Sequence, residues 1–331
     1  VNTSPALSAS VVLCTYNGER WLPELWRSLL AQAHAPDEIV VRDDASTDRT
    51  FALLESLREG AQARGIRIKL ARNERNLGFV GNFEAALNDA AGEIVFLCDQ
   101  DDAWHPQKIA LMLEQFVRRP HLLLLHSDAR LVDEAGADMR CGLFEALEAT
   151  RRERALIHSG RAFDALLRRN LATGATLAFR RSLLPDVAPF PREWVHDEWL
   201  AIIAAALGEV DCLEQPLIDY RQHAGNQIGA RKRSFADKLA RIGQARTPFL
   251  QGLEARMGIL LRHFESRLAS RLPPARVEAV RHKREHLRAR LALPPSRLQR
   301  PLPILREIAT GRYSSFSTGA RAILLDLVNN E

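Results

Sequence analysis

Residues 93–102 have the sequence EIVFLCDQDD, which combines a buried strand with a cluster of carboxylates. After Glu93 it is apolar up to Cys98, as is typical of a strand buried on both faces. Three carboxylates, Asp99, Asp101 and Asp102, follow within four residues. In open parallel sheets ligands bind beyond the carboxyl ends of the strands, so this ending predicts a site as well as a strand.

The pattern of strand and helix repeats upstream of this stretch. Apolar strands are predicted at 10–14, 38–41 and 66–70, and amphipathic helices at 21–30, 47–63 and 79–90. Such alternation is typical of βαβ units, so we expect an α/β fold with a mostly parallel, Rossmann-like central sheet flanked by helices. Downstream we predict helices at 106–119 and 197–207, an irregular segment at 137–160, and strands at 121–126, 127–133, 177–179, 210–213 and 217–220.

Polar residues follow all four of the first strands: Thr15-Tyr16-Asn17, Asp43-Asp44, Asn73 to Gly78, and Asp99 to Asp102. Carboxylates this close together raise each other's pKa unless a cation or hydrogen-bond donors offset the repulsion. Oxygen ligands suit Mg²⁺ or Mn²⁺, with substrate phosphates and water completing the shell. The alternative is that the three carboxylates are a solvated N-cap cluster for the helix near Pro106.

Five motifs in order resemble a known family: CTYNG, VVRDDASTD, NLGFVGNF, FLCDQDD, and VHDEWL followed by DYRQHAGN. Together, over residues 8–228, they are similar to the inverting nucleotide-sugar glycosyltransferases of family 2 with the GT-A fold. The last motif resembles a bacterial subgroup described as rhamnosyltransferase-like. The resemblance implies a UDP- or dTDP-sugar donor and a Mg²⁺ or Mn²⁺ cofactor. It further implies a saccharide or lipid-linked acceptor in the synthesis of a surface polysaccharide.

The resemblance also implies residue roles. Asp197 matches the catalytic base, and Asp101 and His223 match positions that reach the metal. The donor would be contacted by Thr15, Tyr16, Asn17, Asp44, Asn76, Asp99 and Gln100, with Asp44 at the nucleobase and Asp99 at the ribose. The acceptor would be contacted by Thr173, Gly174, Glu198 and Trp199.

Each role has a structural alternative. Asp197 before a helix is a good N-cap, and Glu198 is a rival base. Trp199 fits the core as well as it fits acceptor stacking, Thr173-Gly174 fits a tight turn, and His223 alone fits a structural histidine. The sequence also departs from the family twice: His196-Asp197-Glu198 replaces the common Glu-Asp, and Ala45 stands where Gly often follows Asp-Asp.

Charge divides the chain near Gly229. Residues 229–331 contain 21 Lys and Arg against 8 Asp and Glu, a net charge of +13, which leaves −8 for residues 1–228. We therefore predict a catalytic domain at 1–228 and a basic helical extension at 229–331. A basic region suits an anionic surface, and we expect peripheral contact with the inner face of an anionic membrane rather than nucleic acid.

Composition excludes several classes. The chain has 331 residues, 46% of them hydrophobic, which is enough for a large core and excludes a disordered protein. Four dispersed cysteines argue against a zinc knuckle or a disulfide scaffold. The longest apolar run, 199–207, is too short to span a bilayer, and no secretory signal is visible, so a cytoplasmic location is expected.

Two other functions remain open from the sequence. A sugar-phosphate nucleotidyltransferase would share the fold, but it needs a glycine-rich basic loop after the first strand, where only Gly18 and Arg20 occur. A non-catalytic binding module would use the basic tail, and its binding would fall steeply with salt.

Overall fold

A computed structural model describes residues 7–226 and 247–328. The described residues form two compact units: the first contains residues 7–162 and 171–226, and the second contains 163–170 and 247–328. The domain boundary predicted near Gly229 lies outside the described residues, so the proposed division at 228 stays a prediction.

The first unit is built on one sheet. Its strands are β1 (Ala9–Thr15), β2 (Glu38–Asp43), β3 (Arg67–Arg72), β4 (Ile94–Asp99), β5 (Ala103–Trp104), β6 (Leu122–Val132), β7 (Asp138–Gly142), β8 (Leu177–Arg180) and β9 (Glu209–Arg221). The order is β3-β2-β1-β4-β8-β6-β9-β5, with β7 beside β6. Strands β1 to β4, β6 and β9 run in one direction, and β5, β7 and β8 oppose them. This confirms the predicted α/β fold with a mostly parallel sheet.

The helices up to residue 207 are α1 (Leu22–Leu30), α2 (Thr50–Gln62), α3 (Gly78–Leu87), α4 (Lys108–Arg118), α5 (Leu143–Ala146), α6 (Arg151–His158), α7 (Ala162–Arg168), α8 (Leu184–Val187) and α9 (His196–Leu207). Residues 163–168 of α7 belong to the second unit. Val11, Leu13, Ile39, Ile94 and Phe96 are fully buried in one core with the inner face of α1. The central strands are apolar on both faces because helices cover both faces.

The register brings the polar strand ends to one edge. Thr15 pairs with Asp43 across β1 and β2, and Cys14 pairs with Asp99 across β1 and β4. Because all these strands point the same way, the loops after β1, β2 and β4 lie side by side.

Three parts of the secondary-structure prediction need correction. The two strands predicted at 121–126 and 127–133 are one strand, β6. Residues 137–160 are not irregular: they form β7, α5 and α6, and α6 begins with a capping box in which Thr150 and Glu153 bond each other's backbone N–H. The two strands predicted at 210–213 and 217–220 are one long strand, β9, whose register with β6 shifts between Ser127 and Asp128.

The second unit is helical, as predicted for the C-terminal region. Besides α7 it contains α10 (Thr247–Arg267), α11 (Pro274–Leu291), α12 (Pro301–Ala309), α13 (Arg312–Phe316) and α14 (Ala320–Val328). Phe163 and Phe264 pack with ring centroids 6.3 Å apart. Across residues 7–226 and 247–328, none of the helices combines the length and apolar character needed to cross a membrane.

Candidate active site

The ends of β1 and β2 are joined by buried hydrogen bonds. Thr15 Oγ1 donates to Asp43 Oδ2 at 3.0 Å, and the Ser46 N–H donates to Asp43 Oδ1 at 3.0 Å. Thr15 is 2% exposed and Asp43 is 0% exposed. Thr15, assigned to the donor from the sequence, therefore has its hydroxyl proton directed into the protein, toward Asp43.

Gln100 fixes the loop after β1. Its Oε1 accepts the Tyr16 N–H at 2.9 Å, and its Nε2 donates to the Tyr16 carbonyl oxygen at 3.0 Å. A Cβ added at Gly18 would lie 2.2 Å from Gln100 Oε1, so this packing requires glycine there. Asn17 has a φ of 49°, and its Oδ1 accepts the Thr47 N–H at 2.8 Å. The Tyr16 side chain remains 45% exposed at this edge.

Asp44 holds the loop before α3. Its Oδ1 accepts the Leu77 N–H at 2.8 Å and Asn73 Nδ2 at 2.7 Å, and its Oδ2 accepts the Gly78 N–H at 3.0 Å. Asn76 supports the same turn, since its Oδ1 accepts the Gly78 N–H at 2.9 Å. The structure therefore gives Asp44 a positioning role that the sequence did not indicate. Its predicted nucleobase contact stays a prediction.

The three carboxylates after β4 lie in a strongly negative environment. Burial, together with the charges of Asp101 and Asp197, raises the pKa of Asp99 to about 7. Burial also raises the pKa of Asp102 well above its usual range, with Asp101 and Asp99 adding to the effect. Asp102 Oδ1 accepts the Arg221 N–H at 3.0 Å, whereas its buried Oδ2 has no hydrogen-bond partner among the described residues. The arrangement is not that of solvated N-caps: Gln107 caps α4, without a side-chain hydrogen bond.

His223 reaches the carboxylate cluster from beyond β9. Its Nε2 lies 2.8 Å from Asp101 Oδ2, and Asn226 Nδ2 lies 3.4 Å from the same oxygen. The imidazole also stacks on Trp21, with ring centroids 5.4 Å apart. Asp101 and His223, which are 122 positions apart in the chain, are thus brought together.

These residues fit a divalent cation. Adjacent ligands of an octahedral ion at 2.0–2.1 Å lie about 3 Å apart, close to the 2.8 Å between Asp101 Oδ2 and His223 Nε2. The buried Asp102 Oδ2 has no hydrogen-bond partner among the described residues, and a cation nearby would favour the charged form of this carboxyl group. The donor set therefore suits Mg²⁺ or Mn²⁺ chemically.

Asp197 lies in the first turn of α9. Its Oδ2 accepts the Gly174 N–H at 2.7 Å and its Oδ1 accepts the Glu198 N–H at 2.6 Å. The N-cap residue is Val195, so the N-cap alternative for Asp197 is wrong. The charge of Asp197 helps to raise the pKa of Asp99, which places the two carboxylates within electrostatic range of each other.

The residues assigned to the acceptor have different surroundings. A side chain at Gly174 would meet His196 Nε2 at 3.1 Å and Asp197 at 3.5 Å, so this turn passes directly over the Asp197 carboxylate. The Thr173 carbonyl oxygen accepts the Thr176 N–H at 2.9 Å, which is the tight turn proposed as the alternative. Glu198 is half-buried beside Asp197. Trp199 is 0% exposed, and its Nε1 donates to the Val187 carbonyl oxygen at 2.8 Å. Trp199 therefore packs in the core, and the prediction that its indole stacks on the acceptor is wrong.

Sequence reasoning missed two buried cations at this site. Arg221 is 2% exposed, donates from Nε to the Asp101 carbonyl oxygen at 2.9 Å, and pairs with Glu24 at 2.7 Å. Lys108 is 0% exposed and donates to the Ala175 carbonyl oxygen at 2.7 Å. Burial lowers the pKa of Lys108 to about 7 despite the nearby carboxylates. The local sequence does not show that Arg221 and Lys108 belong to the site, because their partners are 67 to 197 positions away in the chain.

Two other features of the described residues lie outside this site. His158, Asp211 and Cys212 form a tight group of metal-ligand types, but Arg119 already pairs with Asp211 at 2.6 Å. A surface cavity of about 480 Å³ includes Glu93, Arg180 and Pro185, next to the start of β4 rather than its end. Neither feature contains a residue predicted for the site.

Comparison with known proteins identifies the family of this chain. Residues 10–184, more than half of the chain, match Glycosyl transferase family 2. An uncharacterized glycosyltransferase of Nostoc is 30% identical over 229 residues, which cover 66% of each chain. The crystal structure of S. aureus TarS in complex with UDP-GlcNAc has a TM-score of 0.55 at 20% identity, covering 85% of this chain and 72% of that one, which shows the fold alone.

Two relatives carry specific names. A UDP-Glc:alpha-D-GlcNAc-diphosphoundecaprenol beta-1,3-glucosyltransferase of Escherichia coli is 27% identical over 59% of this chain and 69% of its own length. A dTDP-rhamnosyl transferase of Shigella flexneri is 25% identical over 71% of this chain and 79% of its own length. The extent of the family match, together with the ordered carboxylates at the sheet edge, establishes that the chain belongs to glycosyl transferase family 2.

Proposed function

We propose that the protein transfers a sugar from a UDP- or dTDP-sugar to a hydroxyl group of a saccharide or lipid-linked acceptor, with inversion at the anomeric carbon. The main support for the proposal is that Asp101 and His223 meet at 2.8 Å beside Asp99, whose carboxyl group lies within electrostatic range of Asp197. Family membership gives the reaction class. The named relatives support a UDP or dTDP donor, L-rhamnose as one candidate sugar, and a lipid-linked acceptor.

Asp197 is the proposed general base. An acceptor hydroxyl loses its proton as its oxygen attacks the anomeric carbon, and a carboxylate on the opposite face from the leaving group can accept that proton. The N–H groups of Gly174 and Glu198 hold one oxygen of Asp197 each, so the carboxylate has a fixed orientation. Attack from that face inverts the anomeric configuration.

Asp101 and His223 would hold the metal ion. When bound, Mg²⁺ or Mn²⁺ would neutralise charge that develops on the leaving diphosphate. Trp21 and Arg221 keep these ligands in place: Trp21 stacks on His223, and Arg221 bonds the Asp101 backbone.

Replacing the proposed base tests the reaction. Asp197→Asn should lower the transfer rate by about 10² to 10⁴ and leave nucleotide affinity unchanged, because a general base contributes to the rate and not to donor binding. Transfer is measured with a panel of sugar nucleotides, and nucleotide affinity by calorimetry. Glu198→Gln is the matched control and should retain most activity. An active Asp197→Asn with an inactive Glu198→Gln would move the base to Glu198.

Metal dependence tests the donor site. UDP or dTDP should bind more tightly with Mn²⁺ than with EDTA, and Asp101→Asn should remove that difference. Binding that is indifferent to the metal would contradict the proposed ligand set. Release of pyrophosphate from a nucleoside triphosphate and a sugar phosphate would instead support a nucleotidyltransferase.

A further inference from the structure

The segment 297–309 of the second unit exposes three leucines. Leu298 is 93% exposed, Leu302 58% and Leu305 60%. Isolated apolar side chains are common on protein surfaces, but these three lie within eight residues of the chain. The segment contains one short 3₁₀ turn at Arg297–Gln299 and the helix α12.

The two faces of α12 differ sharply. Ile304 and Glu307 are 2% and 8% exposed, and Ile304 packs with Tyr313 and Ala322 in a small core. Leu302, Leu305, Arg306 and Ala309 are spaced i, i+3, i+4 and i+7, which puts them on one helix face. All four are exposed, so the outward face of α12 is apolar with an arginine beside the leucines.

Within residues 293–328, the exposed charged side chains are all basic. Residues 293–328 contain two acidic residues, and both are buried: Glu307 Oε1 lies 2.7 Å from His286 Nδ1, and Asp326 pairs with Arg290 at 2.7 Å. The exposed charged side chains in this range are Arg297, Arg306 and Arg321. This range therefore combines exposed leucines with positive charge and has no exposed carboxylate of its own, and the exposed Glu285 on α11 is paired with Arg312.

We infer that segment 297–309 docks on an anionic lipid bilayer, with Leu298, Leu302 and Leu305 inserting between headgroups. A short helix with leucines on its outward face and arginine beside them suits the interface of a membrane, where apolar burial and attraction to anionic lipid act together. A protein partner with an apolar groove would explain the exposed leucines. An anionic bilayer explains both the leucines and the lack of exposed carboxylates in this range. The inference extends the proposed function, on which its biological role rests, because a lipid-linked acceptor lies at a membrane.

Vesicle sedimentation of the full chain tests the inference without donor or acceptor. The protein should bind phosphatidylcholine vesicles containing about one third phosphatidylglycerol, and bind pure phosphatidylcholine much more weakly. Leu298→Ser with Leu302→Ser and Leu305→Ser should weaken binding at least about tenfold. Arg297→Gln with Arg306→Gln should weaken binding and reduce its dependence on salt.

The matched control is Val117→Ser with Met139→Ser, which removes apolar side chains 47% and 42% exposed from the first unit and should bind vesicles normally. Circular dichroism and UDP affinity verify that each variant is folded. Wild-type affinity in the triple leucine variant, or equal binding to both vesicle types, would overturn the inference. Loss of self-association in that variant, with vesicle binding unchanged, would assign the face to a second copy of the chain instead. Failure of the proposed function would leave vesicle binding intact, so the two results are distinguishable.

Discussion

Ala45 explains the departure from the family pattern after Asp-Asp. Its φ is 61°, in the left-handed region that glycine adopts without strain. The turn directs the Asp44 carboxylate to the Leu77 and Gly78 N–H groups. The loop conformation is therefore compatible with either residue, and the alanine is kept at a conformational cost of about 1–2 kcal/mol.

Ala45→Gly should therefore raise the free energy of unfolding, by up to about 1 kcal/mol, because the relief of strain exceeds the added entropy of the unfolded chain. Ala52→Gly in α2 is the matched control, since Ala52 is exposed in a regular helix. It should lower the free energy of unfolding by about 1 kcal/mol. Urea unfolding followed by circular dichroism measures both. The same sign for both substitutions would contradict the strain at Ala45.

Several site residues have a second task besides the one their chemistry suggests. Gln100 bonds the Tyr16 backbone, and Asp197 bonds the Gly174 N–H. These contacts join loops that are distant in sequence, so the polar groups predicted to meet a ligand also build the edge that would receive it. Substitutions there will change stability as well as activity, so nucleotide affinity is measured beside activity to separate the two effects.

At the scale of elements, α11 in the second unit carries an unusual buried charge. Arg290 donates from Nε to Asp326 Oδ2 at 2.7 Å and from Nη2 to Asp326 Oδ1 at 3.0 Å. Tyr313 Oη donates to the same carboxylate at 2.8 Å. The side chains of Arg290 and Asp326 are 4% and 3% exposed, so neither charge is screened by water. The pair joins α11 to α14 and fixes their register.

Removing one member of the Arg290–Asp326 pair should strongly destabilise the fold. Arg290→Ala leaves Asp326 buried without its counter-charge and should lower the free energy of unfolding by about 3–5 kcal/mol. Arg281→Ala on the same helix is the control: Arg281 is 48% exposed and pairs with Glu265, so the free energy of unfolding should change little. Urea denaturation compares the two variants. Equal small losses would show that the buried pair is not essential to the helical unit.

At the scale of the whole molecule, buried histidines make stability depend on pH. His126 in β6 is 1% exposed, and neither ring nitrogen has a hydrogen-bond partner among the described residues. Burial lowers its pKa to about 4, although Asp211 opposes this and His158 adds to it. His196, stacked on Phe83, behaves in the same way, with a pKa lowered by burial to about 3.

The lowered pKa values of these histidines make the folded protein less stable at acidic pH. In the unfolded chain a histidine binds a proton below a pH of about 6.5, whereas folded His126 stays neutral down to about 4, so stability falls as the pH decreases through this window. The full effect for His126 is about 3 kcal/mol. His126→Gln should make the decline in unfolding free energy between pH 7 and 4.5 shallower. The exposed control His121→Gln should leave the decline unchanged. An unaltered decline in His126→Gln would contradict a neutral buried imidazole.

The sequence determined the strand-helix alternation, the polar strand ends and the basic helical C-terminal region, because these follow from local periodicity and composition. EIVFLCDQDD and its upstream counterparts predicted the parallel strands and placed Asp99 and Asp101 at a strand end, whereas Asp197 was proposed from the resemblance of VHDEWL to the family. Local pattern failed at 137–160, where short elements are stabilised by caps and by packing on β6 and β9.

The contacts between distant residues became visible in the folded chain alone. The contacts of Asp101 with His223, of Gly174 with Asp197 and of Arg221 with Glu24 join positions 23 to 197 residues apart. No local pattern encodes such pairs, since their geometry depends on the register of β1, β4 and β9. Burial likewise assigned Trp199 to the core and left Leu298 exposed. The sequence allows either location for an apolar side chain, and the packing of neighbouring elements selects one.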